Sequence, residues 1–130
     1  MVVDTSAVIA ILMGEVEAGR IASALASDAL RLMSAFSALE AAIVVESRKG
    51  PAGAHEWELL QTESEIDIVP FTAGQQILAA EAWRNFGKGR HQASLNIGDC
   101  CAYALAKHTG EPLLYKGTDF AHTDVVPVPW

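Results

Sequence analysis

Four acids stand apart from every other charge in this sequence, and they define the chemistry to consider. Asp4 is the only charged side chain in residues 1–14, and Glu40 the only one in 32–45. Asp99 is the only one in 91–106 with histidine counted neutral, and Asp119 follows Gly117-Thr118 and precedes Phe120. Carboxylates in apolar surroundings are costly to desolvate unless they are paired or bind a metal. None of the first three has a Lys or Arg within a helical turn along the chain. Such a set calls for a shared cation. Oxygen-only ligands suit a hard ion, Mg²⁺ or Mn²⁺, that keeps several waters and takes one or two carboxylates directly. Against a phosphodiester, such an ion lowers the pKa of a bound water and stabilises an in-line displacement. Ser6 and Thr118, beside Asp4 and Asp119, carry hydroxyls that can orient those carboxylates.

Each acid also has an ordinary alternative. Asp4 can cap the helix that follows it. Ser37-Ala-Leu-Glu40 has the capping-box pattern, and Asp99 lies at a helix N-terminus where the dipole favours a carboxylate. Asp119 can pair with Lys116 in a turn. These roles explain the acids singly, but not why all four fall in otherwise uncharged segments.

The segments that must position them alternate. Met1–Val3, Leu30–Met33, Ile66–Val69, Leu113–Tyr115 and Val125–Val128 read as short apolar strands. Helices are expected over 6–13, 15–26, 38–49, 54–63, from Thr72 to Phe86, and over 98–108, with stops at Gly50-Pro51 and Gly110. Alternation of this kind implies parallel βαβ units with helices on both faces of the sheet. Ligands in such sheets bind beyond the carboxyl ends of the strands. Asp4 and Asp119 fall there.

The bulk properties narrow the class. The chain of 130 residues is expected to form one domain over 1–130. It is 51% hydrophobic and 19% charged, with a mean hydropathy of +0.23, so it can build a core and is not a disordered tail. Nine Lys and Arg against sixteen Asp and Glu give a net charge of −7. That balance excludes a protein that coats nucleic acid through many phosphate contacts, but not an enzyme that grips a phosphodiester through a metal. No secretory signal or membrane-length apolar run is visible, and adjacent Cys100 and Cys101 offer neither a disulfide nor a zinc site, so a cytoplasmic location is expected.

Taken together, the opening Met-Val-Val-Asp4-Thr-Ser-Ala, Glu40 early in a helix, Asn96-Ile-Gly98-Asp99-Cys-Cys-Ala-Tyr-Ala-Leu-Ala106 and Gly-Thr118-Asp119-Phe resemble a PIN domain. The resemblance covers the whole chain and is closest to the VapC toxins of bacterial type II toxin–antitoxin pairs. It implies a three-layer α/β/α sandwich with a parallel sheet of about five strands. It implies a Mg²⁺-dependent ribonuclease whose acids correspond to Asp4, Glu40, Asp99 and Asp119, a homodimer, and a VapB-type antitoxin that blocks the site. Thr118 departs from the Asn that many relatives carry. The reaction expected is hydrolysis of RNA by a metal-activated water, leaving a 5′-phosphate and a 3′-hydroxyl, with DNA reached only through the antitoxin. The alternative is a non-cleaving module of the same fold that acts through its antitoxin. A phosphatase that forms an aspartyl phosphate fits less well, because Ser6 stands where a second Asp is needed.

Trp83-Arg-Asn-Phe-Gly-Lys-Gly-Arg90-His91 is the most basic stretch of this acidic chain, with two aromatics interleaved. Arg84, Lys88 and Arg90 are candidates to steer an RNA backbone toward the carboxylates. The plain alternative is a solvated loop over core aromatics.

Overall fold

Val2 and Val3 form the first strand and point to opposite faces of a sheet, yet both are fully buried. A strand buried on both faces needs cover on both, and the computed structural model, which describes residues 1–130, shows how that cover is built. β1 (Val2–Val3) leads into α1 (Thr5–Leu12) and α2 (Ala18–Ala26), then β2 (Leu32–Ser34). α3 (Ala35–Lys49) and α4 (Pro51–Glu63) precede β3 (Asp67–Val69). α5 (Ala73–Phe86), α6 (Ile97–Thr109), β4 (Leu113–Leu114) and a 3₁₀ turn (Asp119–His122) complete the order. All pairings are parallel, in the order β3-β2-β1-β4, with Val2 opposite both Leu32 and Leu113.

Two apolar clusters flank the sheet. Met1, Val3, Val8, Ile21, Leu25, Met33 and Trp57 pack on one face. Val2, Leu95, Tyr103, Leu105, Leu113 and Phe120 pack on the other. The architecture is the α/β/α sandwich, with four strands in place of about five. Val125–Val128 contributes only a bridge between Leu113 and Pro127. The bridge consists of two bonds, Leu113 N–H to Val126 O (2.8 Å) and Val128 N–H to Leu113 O (2.9 Å).

Helix starts differ from expectation for local reasons. α3 begins at Ala35 rather than near Ala38, because Ser34 is its N-cap and accepts from the Phe36 N–H. Glu40 therefore lies in the second turn and not at N3 of a capping box. α4 begins at Pro51, whose missing N–H costs nothing at a first helical position; Gly50, at φ +63°, ends one helix and starts the next. α2 begins at Ala18, three residues late. In residues 6–13, Ala7, Val8 and Ala10 are buried and Ile9, Ile11, Leu12 and Met13 half-buried, whereas α3 leaves Leu39 and Ile43 exposed. No helix is long and apolar enough to cross a membrane.

The chain moves from β1 to β2 to β3 in one direction and then crosses to β4 on the other side of β1. The switch point lies between β1 and β4, where an open α/β sheet leaves a crevice at its carboxyl edge.

Candidate active site

Asp4 sits at the end of β1 as the N-cap of α1, and it is buried. Its Oδ2 accepts the Ser6 N–H (2.9 Å) and the Ser6 hydroxyl (2.6 Å). The same hydroxyl oxygen accepts the Lys116 N–H (2.9 Å) from the segment after β4. Ser6 thus ties Asp4 to the segment that leads to Asp119. The Thr5 hydroxyl donates to Ser37 O (3.2 Å) and draws the start of α1 against α3, one turn before Glu40. The Ser37 hydroxyl, fully buried beside it, has no protein partner.

Asp99 enters from α6. Asn96 is the N-cap, and the capping box is complete: Asp99 N–H donates to Asn96 Oδ1 (2.9 Å), and Asn96 N–H donates to Asp99 Oδ2 (2.7 Å). The anchors of Asp4 and Asp99 both fall on Oδ2, which leaves Oδ1 of each for another ligand. Gly98, just before Asp99, lets Glu40 close against α6: a Cβ there would lie 2.7 Å from Glu40 Oε2 and 3.0 Å from Oε1. In the sequence, Gly98 shows only as a Gly inside the first turn of an otherwise well-formed helix, where a packing reason is the usual explanation.

Asp119 opens the exposed 3₁₀ turn beyond β4. Its expected alternative, a pair with Lys116, is not made; Lys116 pairs instead with Glu15 and, at 2.8 Å, with Glu17. Thr118 does not cap the turn with its side chain.

The four acids form one electrostatic group. Burial, and then the charges of Asp4, Asp119 and Glu40, push Asp99 up to about 7, against the pull of the Asn96 N–H. Burial raises Asp4 as well, opposed by the Ser6 hydrogen bonds and reinforced by Glu40. No Lys, Arg or His forms an ion pair with any of the four. No three His, Cys, Asp or Glu side chains converge closely enough to hold a metal ion between them. A hard cation that binds one or two carboxylates and keeps its waters needs no such cluster. Cys100 and Cys101 are raised to about 11, chiefly by burial, so their sulfurs remain thiols beside the site.

Arg84 lies on the last turn of α5, and Lys88 and Arg90 in the loop after it, all exposed. None has an acidic partner. The Arg90 guanidinium lies 4.0 Å from the centre of the Trp83 ring.

A parallel sheet with acids gathered at its switch point is the arrangement of a PIN domain, and that family matches residues 1–126. The chain belongs to it. Within the family it is similar to Ribonuclease VapC30 of Mycobacterium tuberculosis, at 48% identity over 98% of each chain. Among solved structures it resembles VapC20 of M. tuberculosis, a toxin that cleaves the sarcin-ricin loop, with a TM-score of 0.80, 18% identity, and 98% of this chain and 97% of that one covered. It also resembles a chain of VapBC2 from Rickettsia felis bound to a promoter DNA fragment, with a TM-score of 0.76, 16% identity, and 99% and 97% covered.

Proposed function

We propose that this chain is the toxin of a type II toxin–antitoxin pair, an endoribonuclease that hydrolyses RNA with Mg²⁺, or Mn²⁺ in its place, at Asp4, Glu40, Asp99 and Asp119. The observation that carries this reading is the focus of three carboxylate charges on buried Asp99 with no protein cation to offset them. The VapC relatives support it over an aspartyl-phosphate enzyme.

Asp4 and Asp99 would hold the ion, with Glu40 and Asp119 completing the negative field around it. When bound, the ion acidifies a water and neutralises charge developing on the phosphate. Asp99 would have to be ionised to hold the ion, since a ligating carboxylate carries its charge. Ser6 keeps Asp4 from turning away. Arg84, Lys88 and Arg90 draw the RNA backbone toward the acids. The products are a 5′-phosphate and a 3′-hydroxyl.

The likeness to a VapBC chain supports a VapB-type antitoxin as partner, with DNA contacted through that antitoxin. Exposed Leu39 (59%) and Ile43 (57%), one turn apart on α3, support a homodimer through that face. The single test is cleavage of cellular RNA by the purified chain with Mg²⁺ and with EDTA, beside Asp99→Asn. Mg²⁺-dependent cleavage lost in the variant is expected. A folded wild type that cleaves nothing, yet still binds its antitoxin, would favour the non-cleaving alternative.

A further inference from the structure

Beside the acids lies a cleft of about 470 Å³ between the start of α3, the outer face of α5 and the start of α6. Its walls are mainly apolar, lined by Phe36, Phe71, Ile97 and Cys100 and by exposed Trp83 and Lys88. None of these residues belongs to the carboxylate group, but several flank its members along the chain. Asn96, Ile97 and Cys100 bracket Asp99 on α6, and Phe36 precedes Glu40 by one turn of α3.

Trp83 is the unusual member. It is 45% exposed, a large apolar surface to leave in water, and yet it is held in place. A Cβ on Gly87 would lie 2.5 Å from Trp83 Cδ1, so the indole packs directly on that backbone, and the Arg90 guanidinium lies over its ring. An exposed aromatic fixed in this way loses little conformational freedom when a flat group stacks on it.

Charge selects the flat group. Arg84, Lys88 and Arg90 are three of the nine cations of a chain with net charge −7, they fall within seven residues, and none is paired with an acid. Unpaired cations along this edge of the cleft attract a polyanion with aromatic side groups.

We propose that this cleft is a nucleobase subsite, in which a base next to the scissile phosphate of single-stranded RNA stacks at the Trp83–Arg90 pair. Lys88 and Arg84 hold the flanking phosphates. Base–aromatic stacking tolerates any base, so Trp83 supplies affinity, while the walls contributed by Phe71 and Ile97 set the size of base admitted. The inference rests on the ribonuclease reading above and assigns the cleft its part in holding substrate.

Binding can be measured apart from cleavage by using Asp99→Asn in Mg²⁺ and following tryptophan fluorescence with oligouridylate, oligoadenylate and an abasic ribose-phosphate of equal length. The base-bearing strands are expected to bind about tenfold more tightly than the abasic strand, the size of one stacking contact, with quenching of the indole. Adding Trp83→Ala, or filling the cleft with Ala80→Phe, should remove that preference; melting curves confirm that each variant is folded. Equal affinity for base-bearing and abasic strands, or a preference that survives both substitutions, would overturn the proposal. So would loss of antitoxin binding in both variants with the RNA preference intact, since the occupant would then be a protein segment. Failure of the wild type to cleave RNA refutes the ribonuclease reading by a separate measurement and leaves the base preference to be read on its own.

Discussion

The carboxylate of Glu40 fills the space that a side chain on Gly98 would need, 2.7 Å from where its Cβ would stand. The contact joins the second turn of α3 to the first turn of α6, so the distance between Glu40 and Asp99 is set by the absence of a single methyl group. Gly53 is hemmed in differently. A Cβ there would meet Lys49 Cβ at 2.7 Å and the Val45 carbonyl oxygen at 2.8 Å, at the junction of α3 and α4.

Gly98→Ala and Gly53→Ala should therefore have opposite effects. In Gly98→Ala the methyl meets the end of a flexible side chain, so the helix persists and Glu40 swings aside. RNA cleavage should fall by about tenfold or more, the cost of misplacing one group in a positioned site, while Tm changes little. In Gly53→Ala the methyl meets backbone, and stability should drop by about 1–3 kcal/mol, as for other overpacked contacts. Urea melts and initial cleavage rates of both variants separate the two. A collapsed Tm in Gly98→Ala would make that glycine a packing residue only.

Ser6→Ala removes the hydroxyl shared by Asp4 Oδ2 and the Lys116 N–H. Losing two hydrogen bonds of this kind should cost about 1–2 kcal/mol of stability. Asp4 keeps only the Ser6 backbone N–H as an anchor, so cleavage should fall and the stabilisation by Mg²⁺ should shrink. Tm with EDTA and with millimolar Mg²⁺ checks this. An unchanged Mg²⁺ response would mean that Asp4 holds its position without the hydroxyl.

The acids stand out in the sequence because charge is informative where it is rare; Asp4 follows β1 and Asp119 lies in the turn beyond β4, on either side of the switch point. The alternatives for Glu40 and Asp99 had equal local support, and the structure separates them. Asn96 makes the capping box with Asp99, whereas Ser34 and not Ser37 caps α3, which leaves Glu40 free of a capping duty. Nothing local distinguishes Ser34 from Ser37. The choice is made by β2, which must end before α3 begins. Val125–Val128 pairs with β4 only through the bridge at Pro127, an extent that its apolar residues do not reveal. The Glu40–Gly98 contact was out of reach because it joins residues 58 positions apart (98 − 40) without complementary charge. Trp83 over Gly87 is short-range, but exposure of the indole is a tertiary outcome.

Asp4→Asn tests whether Asp4 serves catalysis or the fold. The amide oxygen can still accept from Ser6, so the cap survives, while one charge leaves a repelling group. Cleavage should be abolished, and the metal-free variant should melt at the temperature of the wild type or above it. An apo variant melting well below wild type would assign Asp4 to the helix cap alone.

The dependence of stability on pH follows from the raised acids, and its sign is unusual for carboxylates. Asp99 goes from an ordinary 3.8 to about 7 on folding, chiefly by burial and then by its acidic neighbours, and burial moves Asp4 in the same direction. Between about pH 4 and 7 the native state therefore holds protons that the unfolded chain has released. Stability then falls as pH rises. The contribution is fully present below the unfolded pKa and lost as pH passes through the folded one, with Asp99 accounting for at most about 4 kcal/mol. Carboxylates held low, such as Asp28 by its hydrogen bond from the Met1 ammonium and Asp124 by that from Tyr103, act below their ordinary values and outside this window. In EDTA, urea midpoints of the wild type should decline from about pH 5 to 8, and Asp99→Asn should flatten the decline. Mg²⁺ binds the ionised, folded site, so its apparent affinity should rise with pH by up to about tenfold per unit below 7, with proton release on binding. Calorimetric titration in two buffers of different ionisation enthalpy measures that release. Mg²⁺ binding with no proton released near pH 6, together with a flat apo stability profile, would show that Asp99 is already ionised and that the four acids do not act on one another as described.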